Sequence, residues 1–449
     1  MNVNRKPVFG SILGENNVCG GLNYISLPGY CNNSRKYLNI DNDIMSKHIL
    51  LSGGTGSGKT NAFYLILDQL KSKMTQNDVM IIFDTKGDYY NKFGAKEDLI
   101  LGNSIQYRSK SQKWNLFREI LADGWDSQEI ENNIYEISWS IFKEAIEKSK
   151  NPFFPNAARD LFAVILLCMM ERGKDNPQYK KKRYYNSVLK KTFDASTITM
   201  LRSFISKHPK WYSVSSYIDK DASGQALGVY SELLGCIRKI LTGVFADKGS
   251  FSIRDFVRKK GGKVLFIEYD LSLGDTLAPI YSLLIDLALK EVLGRGNQNG
   301  NVYMIFDEFK LLPYLQHIDD GVNFGRSLGL KIMAGIQSVN QMTEAYGEER
   351  GKNILAGFSS VFSFRANDAE TRKFTSDLYG ENVIIEQRKT LTNIITEEEK
   401  RAHVVEDWDL RELRLGEAVI GMPFKEPFIF MFDEYKLSLI HISEPTRRS

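Results

Sequence analysis

The chain has 449 residues, of which 43% are hydrophobic and 25% are charged, a balance typical of a soluble protein of about two to three domains. Its formal net charge of +4 excludes a chain that is basic throughout, so any surface for an acidic partner must be local. The cysteines (Cys19, Cys31, Cys168 and Cys236) form no C-x-x-C pair and no disulfide framework. This argues against a zinc site and favours a reducing cytosol.

Neither the first 45 residues nor the longest apolar run predicts a membrane segment. The first 45 residues are polar and rich in glycine and asparagine, so they predict no signal peptide. The longest apolar run, from Leu161 to Met170, has ten residues, whereas a membrane span needs about 20. We therefore expect this run to be a core helix, and the chain to carry no transmembrane segment of its own.

A glycine-rich loop follows the first predicted strand, His48–Ser52. Its residues spell a complete G-x-x-x-x-G-K-T motif: Gly53, Gly54, Thr55, Gly56, Ser57, Gly58, Lys59 and Thr60. Apolar residues at helical spacing in 61–67 then predict a helix, which gives the strand–loop–helix context of a phosphate loop. Backbone N–H groups of such a loop surround phosphate at the positive end of the helix.

The lysine and threonine of this loop predict nucleotide chemistry. Lys59 is expected to bridge the β- and γ-phosphates of ATP, and the Thr60 hydroxyl to hold Mg²⁺. A glycine-rich turn without a ligand is the alternative. The Lys-Thr pair and the preceding strand argue against it.

The next elements are a buried strand and a long helical region. Residues 79–84 predict a strand ending in Asp84, which either orders the water shell of the metal or is a simple turn residue. From about residue 110 to 250, apolar residues three and four apart predict helices over 128–148, 156–171 and 225–245.

Strands return after this helical region, and the second half of the nucleotide site appears with them. Residues 263–269 predict a strand, 278–293 a helix, and 301–306 a hydrophobic strand that ends in Asp307 and Glu308. This is the pattern of a Walker B element, in which Asp307 orders the magnesium shell and Glu308 polarises the attacking water. An ordinary acidic turn after an apolar strand is the alternative. The intact phosphate loop favours the catalytic interpretation.

Two more strands, 330–336 and 360–365, extend the sheet. The predicted fold is therefore α/β: a P-loop NTPase sheet of RecA-like type into which a helical module is inserted. Gln337 and Ser338 follow the strand at 330–336, where ATPases of this kind place a polar sensor near the γ-phosphate.

The chain resembles the TraG/TraD-like coupling ATPases of conjugative DNA transfer, which are relatives of the FtsK/HerA DNA pumps. The segments that carry the resemblance stand in the family order: Gly54–Thr60, Phe83–Asp88, Pro152–Leu161, Ile305–Phe309 with Leu312-Pro313, and Gly325–Ser327 followed by Ala334–Ser338, Gln341 and Tyr346-Gly347. Together they cover roughly residues 46 to 436.

The resemblance implies roles for further residues. Gln337 matches the γ-phosphate sensor, and Arg326 matches an arginine finger that acts on the nucleotide of the neighbouring subunit. Arg365 is a second, weaker candidate for that finger. A finger in trans implies a ring, and for this family a homo-hexamer. The implied function is an ATP-driven motor that brings DNA, with a relaxase attached, to a type IV secretion channel at the inner membrane.

The resemblance also implies a division of the chain. Residues 1–104 form the first part of the nucleotide-binding domain, 105–250 an all-α domain that helps engage DNA, and 251–436 the second part. Residues 437–449 look like translated adapter sequence and are expected to be a non-native tail. Family members usually begin with transmembrane helices, but the sequence predicts none in this chain. We therefore expect it to be cytoplasmic and peripheral at the membrane. It then docks onto a separate membrane subunit, belongs to a soluble branch, or starts at an internal codon.

DNA contact has only local support in the sequence. Residues 180–185 combine lysines with Tyr184 and Tyr185, which suits phosphate contact and base stacking but equally a solvated loop. Arg254 and Arg258 are expected to lie in a solvated turn. Two other functions stay open: another FtsK/HerA-type pump for a chromosome or phage genome, and a docking platform that does not hydrolyse ATP. The intact phosphate loop and Walker B residues argue against the platform.

Overall fold

The computed structural model describes residues 3–9, 11, 13, 25–219, 224–294, 300–389, 395–423 and 425–436. Cys19 and the expected tail at 437–449 lie outside these ranges. The strands are β1 Val3–Phe9, β2 Ile25–Cys31, β3 Ser34–Ile40, β4 Ile49–Ser52, β5 Val79–Asp84, β6 Leu99–Leu101, β7 Lys263–Glu268, β8 Val302–Phe306, β9 Leu330–Ile336, β10 Ser360–Phe364, β11 Glu381–Lys389, β12 Ile395–His403, β13 Glu417–Gly421 and β14 Phe428–Phe432.

The helices alternate with the parallel strands and also fill the long segment between β6 and β7. They are α1 Asn42–Ser46, α2 Lys59–Lys73, α3 Asp88–Phe93, α4 Ile105–Arg108, α5 Leu116–Ile120, α6 Ser127–Lys148, α7 Phe153–Lys174, α8 Pro177–Arg183, α9 Asn186–Ala195, α10 Ile198–Ile205, α11 Gly224–Ile240, α12 Ile253–Lys259, α13 Gly274–Gly294, α14 Ile318–Phe324, α15 Val339–Tyr346, α16 Glu348–Ala356, α17 Ala369–Tyr379 and α18 Asp407–Glu412. Short 3₁₀ helices cover Pro209–Ile218, Gly243–Ala246, Phe309–Leu311 and Gly325–Leu328.

The main sheet has eleven strands in the order β3-β2-β14-β13-β10-β4-β9-β8-β5-β7-β6. The strands from β10 to β6 are parallel, whereas β13, β14, β2 and β3 extend one side in antiparallel fashion. Every residue of β4, β5, β8 and β9 is buried. Burial on both faces explains their continuous apolar sequences, because helices cover a parallel sheet on either side. The predicted α/β fold class is confirmed.

The helical region leaves and rejoins the sheet at one place. The N–H of Asn115 donates to the carbonyl of Phe251 at 2.9 Å, and the N–H of Phe251 donates to the carbonyl of Lys113 at 3.0 Å. The outgoing and returning chain therefore lie side by side, as expected of an insertion. Within the described residues, α7 is the one helix long and apolar enough to cross a membrane, but 72% of its apolar window is buried inside the protein. It is a core helix.

A buried ionic cluster joins the base of the helical region to α12 and α13. The guanidinium of Arg254 donates to Asp123 at 2.7 Å and to Glu291 at 3.1 Å, and Arg258 donates to the same two carboxylates. Arg254 is only 4% exposed. The expectation that these arginines lie in a solvated turn was wrong, since each one pairs with carboxylates that are distant in sequence.

The strands β1, β2, β3, β11 and β12 were not predicted. Strands β2 and β3 form a hairpin beside β14, and β1, β11 and β12 form a separate antiparallel sheet. Strands β3, β11 and β12 are largely polar, β2 buries only alternate residues, and three of the five strands lie at sheet edges, so they lack the continuous apolar signal of a buried strand. The hairpin turn uses Asn32 and Asn33, both at positive φ, a conformation that asparagine tolerates.

Candidate nucleotide site

The phosphate loop lies between β4 and α2 at the carboxyl edge of the parallel strands. Gly53, Gly56 and Gly58 have φ of 146°, 73° and 115°, which side chains with a Cβ rarely adopt. Gly58 also packs closely, because a Cβ there would lie 2.8 Å from the Cα of Gly416. The N–H of Gly416 donates to the carbonyl of Ser57 at 3.0 Å. Glycines therefore let the loop turn and let the segment before β13 support it.

Lys59 begins α2 and points back into the loop. Its side chain is 7% exposed, and its ammonium donates to the carbonyls of Gly53 at 2.5 Å and Gly54 at 3.1 Å. Burial lowers the pKa of Lys59, and the carboxylates of Glu308 and Asp307 partly oppose that shift. A buried cation at the positive end of a helix is suited to bind the charged oxygens of phosphates.

The Walker B strand brings Asp307 beside Thr60. The Thr60 hydroxyl donates to the Asp307 carboxylate at 3.3 Å, although 247 positions separate the two residues. Asp307 is 7% exposed, and burial raises its pKa. A hydroxyl and a carboxylate are hard oxygen ligands of the type that Mg²⁺ prefers, so this pair fits the predicted metal site.

A chain of hydrogen bonds connects Glu308 to the phosphate loop. The amide of Gln337 donates to Glu308 Oε2 at 2.6 Å, and Thr55 donates to the amide oxygen of Gln337 at 3.0 Å. Gln341 fixes Gln337 in turn by accepting its backbone N–H at 3.1 Å. The other oxygen, Glu308 Oε1, is buried and has no hydrogen-bond partner among the described residues. Burial raises the pKa of Glu308. Glu308 therefore keeps one unpaired acceptor and is connected to the phosphate loop through its other oxygen.

A cleft of about 230 Å³ opens beside the loop. Its walls are Gly54–Ser57 on one side and Arg365, Asn367 and Leu415 on the other. The carbonyl of Arg365 accepts the N–H of Gly54 at 2.8 Å, which joins the two walls. Arg365 thus lies at the loop of its own subunit. Asn367, Leu415 and Gly416 were not predicted, because nothing in their local sequence distinguishes them from ordinary turn residues.

Arg326 lies far from this cleft. It occupies the turn before β9, whereas Gln337 follows the end of the same strand. The seven residues of β9 span about 20 Å at roughly 3.3 Å per residue. The exposed guanidinium of Arg326 pairs instead with Asp43 at 2.7 Å. The structure therefore gathers Lys59, Thr60, Asp307, Glu308 and Gln337, and leaves Arg326 at the opposite end of the strand.

The geometry of Asp84 favours the turn interpretation. One carboxylate oxygen accepts the N–H of Lys86 at 3.3 Å, and the other accepts the N–H of Tyr90 at 3.1 Å. Burial raises the pKa of Asp84 to about 6. Both oxygens therefore hold the segment that leads from β5 into α3.

The basic aromatic stretch at 180–185 is divided by the fold. Tyr184 is buried, stacks on Phe117 with ring centroids 4.8 Å apart, and donates to the carbonyl of Met169. It is unavailable for base stacking. Lys181, Lys182 and Arg183 are exposed on α8, whereas Tyr185 is half-buried with the ammonium of Lys248 4.4 Å from its ring centroid.

Residues 37–436 match the family model described as type IV secretion-system coupling protein DNA-binding domain. Curated relatives include the coupling protein TraD of Escherichia coli strain K12, which is 24% identical over 77% of this chain and 45% of its own length. The type IV secretion system-coupling protein VirD4 of Bartonella henselae is 20% identical over 76% of this chain and 54% of its own. The chain thus spans about half the length of these relatives.

Solved structures of the plasmid coupling protein TrwB share the fold. The complex with a non-hydrolysable ATP analogue aligns with a TM-score of 0.72 at 19% identity, covering 96% of this chain and 95% of the other. The complex with ADP and Mg²⁺ aligns with the same TM-score and identity over 98% of this chain and 96% of the other.

Proposed function

The chain belongs to the family of type IV secretion-system coupling proteins, within their DNA-binding domain, and from this premise we propose that it is an ATP-hydrolysing motor that delivers DNA to a secretion channel. The observation that carries the proposal is the joined Walker A and Walker B geometry inside a fold of this family. Thr60 meets Asp307, and Gln337 connects Thr55 to Glu308.

The site residues divide the reaction among themselves. The loop from Gly53 to Gly58 and the ammonium of Lys59 bind the phosphates of ATP. Thr60 and Asp307 would hold Mg²⁺, which would supply positive charge next to those phosphates. Glu308 accepts a proton from the attacking water. Gln337 is hydrogen-bonded to both Glu308 and Thr55 of the loop. A γ-phosphate bound at the loop can therefore change the position of Glu308 through Gln337.

Arg326 acts on the nucleotide of a neighbouring subunit in this proposal. About 20 Å of strand separates it from its own phosphate loop, and its guanidinium is half exposed. An exposed arginine on the face opposite the nucleotide cleft suits a head-to-tail ring, in which one face of each subunit meets the other face of the next. We propose a homo-hexamer on this basis.

The partners and location follow from the same family. TraD and VirD4 carry the name of coupling proteins, and we propose that this chain likewise takes DNA with its relaxase to type IV secretion machinery. It works at the cytoplasmic face of the inner membrane. The paired chain at Asn115 and Phe251 supports a division into residues 1–104 and 251–436 for the motor and 105–250 for the all-α domain.

DNA-stimulated ATP hydrolysis tests the motor function. Turnover by the purified chain is measured with and without single- and double-stranded DNA, at several salt concentrations. We expect ATP hydrolysis that rises with DNA and falls with salt, because phosphate contacts release counterions. A chain that binds ATP but hydrolyses none under any of these conditions is a docking platform.

A further inference from the structure

A second pocket lies in the helical region, well away from the phosphate loop in the fold. It is a cavity of about 250 Å³ between the start of α6, the end of α7 and the 3₁₀ helix Pro209–Ile218. Its apolar lining comes from Trp125, Ile130, Leu167, Met170 and Trp211. The two tryptophans lie on different elements, and both are half-buried.

The size of this cavity limits what it can hold. Pockets for drug-sized ligands measure about 300–1,000 Å³, so this cavity suits a single ring system. Indole rings bind flat aromatic groups by stacking, and every nucleobase offers such a face.

Cations surround the aromatic lining. The ammonium of Lys180 lies 4.2 Å from the ring centroid of Trp125, and that of Lys210 lies 4.2 Å from the ring centroid of Trp211. Lys174 also lines the cavity. The exposed cations Lys181, Lys182 and Arg183 continue along α8, the helix that brings Lys180 to Trp125.

Two carboxylates also line the cavity, and each has a basic partner. Glu131 forms an ion pair with Lys210 at 3.0 Å, and Glu171 forms a hydrogen bond with the imidazole of His208 at 2.5 Å. These contacts reduce the repulsion that the carboxylates exert on an anionic ligand. The cations of α8 then make the rim of the cavity positively charged.

We propose that this cavity binds one unpaired nucleobase of the DNA substrate, with the neighbouring phosphates on α8. The proposal rests on the proposed function and names the place in the all-α region where the strand is held. The aromatic lining supplies stacking, and the cations supply the phosphate contacts that accompany it in sites for single-stranded nucleic acid. A partner peptide that inserts an aromatic side chain is the competing occupant.

Two oligonucleotides of equal length separate stacking from charge. Fluorescence anisotropy measures binding of the full chain to labelled oligothymidine and to an abasic strand with the same phosphates. We expect Trp211→Ala to weaken binding of oligothymidine about 10-fold or more, and to leave binding of the abasic strand within twofold. Trp211→Phe should restore most of the affinity. Lys181→Gln with Lys182→Gln should weaken both strands and reduce the salt dependence.

Trp408→Ala is the matched control, since Trp408 is a 45% exposed tryptophan on α18. Circular dichroism and thermal unfolding verify the fold of each variant. If Trp211→Ala loses affinity equally for both strands, or for neither, the nucleobase pocket is overturned. The proposed function then still stands, provided that the wild type binds DNA. A wild-type chain that binds no DNA overturns both. If Trp211→Ala binds oligothymidine as the wild type does but no longer binds a peptide with an aromatic side chain, the cavity belongs to a protein partner instead.

Discussion

Lys59 is buried, and among the described residues its ammonium donates hydrogen bonds to the loop carbonyls of Gly53 and Gly54, so its charge is available for a ligand. We expect Lys59→Ala to lower ATP turnover below detection and to leave the unfolding transition nearly unchanged. The reason is that the lost ammonium binds Gly53 and Gly54 within the loop. Steady-state hydrolysis and thermal unfolding measure the two effects. Lys73→Ala, an exposed change at the end of the same helix, is the control, and undiminished hydrolysis by Lys59→Ala places the active site elsewhere.

Glu308 has one oxygen without a partner among the described residues, and its other oxygen is connected to the phosphate loop through Gln337; we propose it as the general base. Glu308→Gln keeps the size of the side chain and leaves Asp307 in place, but an amide cannot take a proton from water. We expect turnover to fall about 10²-fold or more, with ATP affinity retained. Single-turnover kinetics and equilibrium binding of ATP distinguish the two quantities. Near-normal turnover in this variant contradicts the assigned role.

The sequence predicted which side chains lie together at the phosphate loop, because each one follows a recognisable local pattern. The glycine spacing predicted the loop, and a hydrophobic strand with a terminal Asp-Glu pair predicted Asp307 and Glu308. Asn367 and Leu415 carry no such pattern, since they reach the cleft only because β10 pairs with β4 and β13 pairs with β10. Arg254 shows the same limit, because its partners Asp123 and Glu291 are distant in the chain.

At the scale of elements, the junction between the helical region and the sheet depends on Glu119. Its carboxylate is fully buried and accepts four donors: Trp114 Nε1 at 2.9 Å, Ile253 N at 2.7 Å, Ser252 Oγ at 2.8 Å and Arg254 N at 3.3 Å. A site with donors at both oxygens requires an acceptor at both positions. This pattern ties α5 to the start of α12.

Glu119→Gln tests that junction. The new amide directs an NH₂ group at two donors, so at least one buried donor loses its partner, at a cost of about 1–3 kcal/mol. We expect the urea midpoint to fall while the m-value stays constant, as measured by circular dichroism. Glu129→Gln, an exposed change on α6, should alter stability by less than about 0.5 kcal/mol. Equal midpoints for Glu119→Gln and the wild type contradict the proposed tie.

Burial made most of the parallel strands recognisable, but not every buried strand: antiparallel β13 has four buried residues of five and was not predicted. The parallel strands β4, β5, β7, β8, β9 and β10 are buried nearly throughout, so their apolar runs identified them. The long helices α6, α7 and α11 were predicted from apolar residues at helical spacing. Strands β3 and β12 are polar and lie at sheet edges, where pairing with a distant strand replaces the hydrophobic signal.

At the scale of the whole molecule, the separation of Arg326 from the phosphate loop predicts that one subunit cannot complete a site alone. We expect Arg326→Ala to lose roughly 10³-fold or more in turnover, as arginine fingers do. Nucleotide affinity should change far less, because the guanidinium meets charge that grows on the γ-phosphoryl group only in the transition state. Asp43→Ala is the matched control: it breaks the same ion pair but keeps the arginine, and should retain turnover.

Mixing two inactive variants then tests whether the site is shared between subunits. In a ring that contains both Arg326→Ala and Lys59→Ala subunits, some boundaries join an intact phosphate loop to an intact arginine, so part of the activity should return. The measurement is steady-state hydrolysis over a series of mixing ratios, with assembly followed by sedimentation velocity. Recovery should peak near equal amounts and vanish when either variant is alone. If verified mixed rings recover nothing, or if Arg326→Ala hydrolyses ATP normally by itself, each subunit must complete its own site, and Arg326 then serves only its ion pair with Asp43.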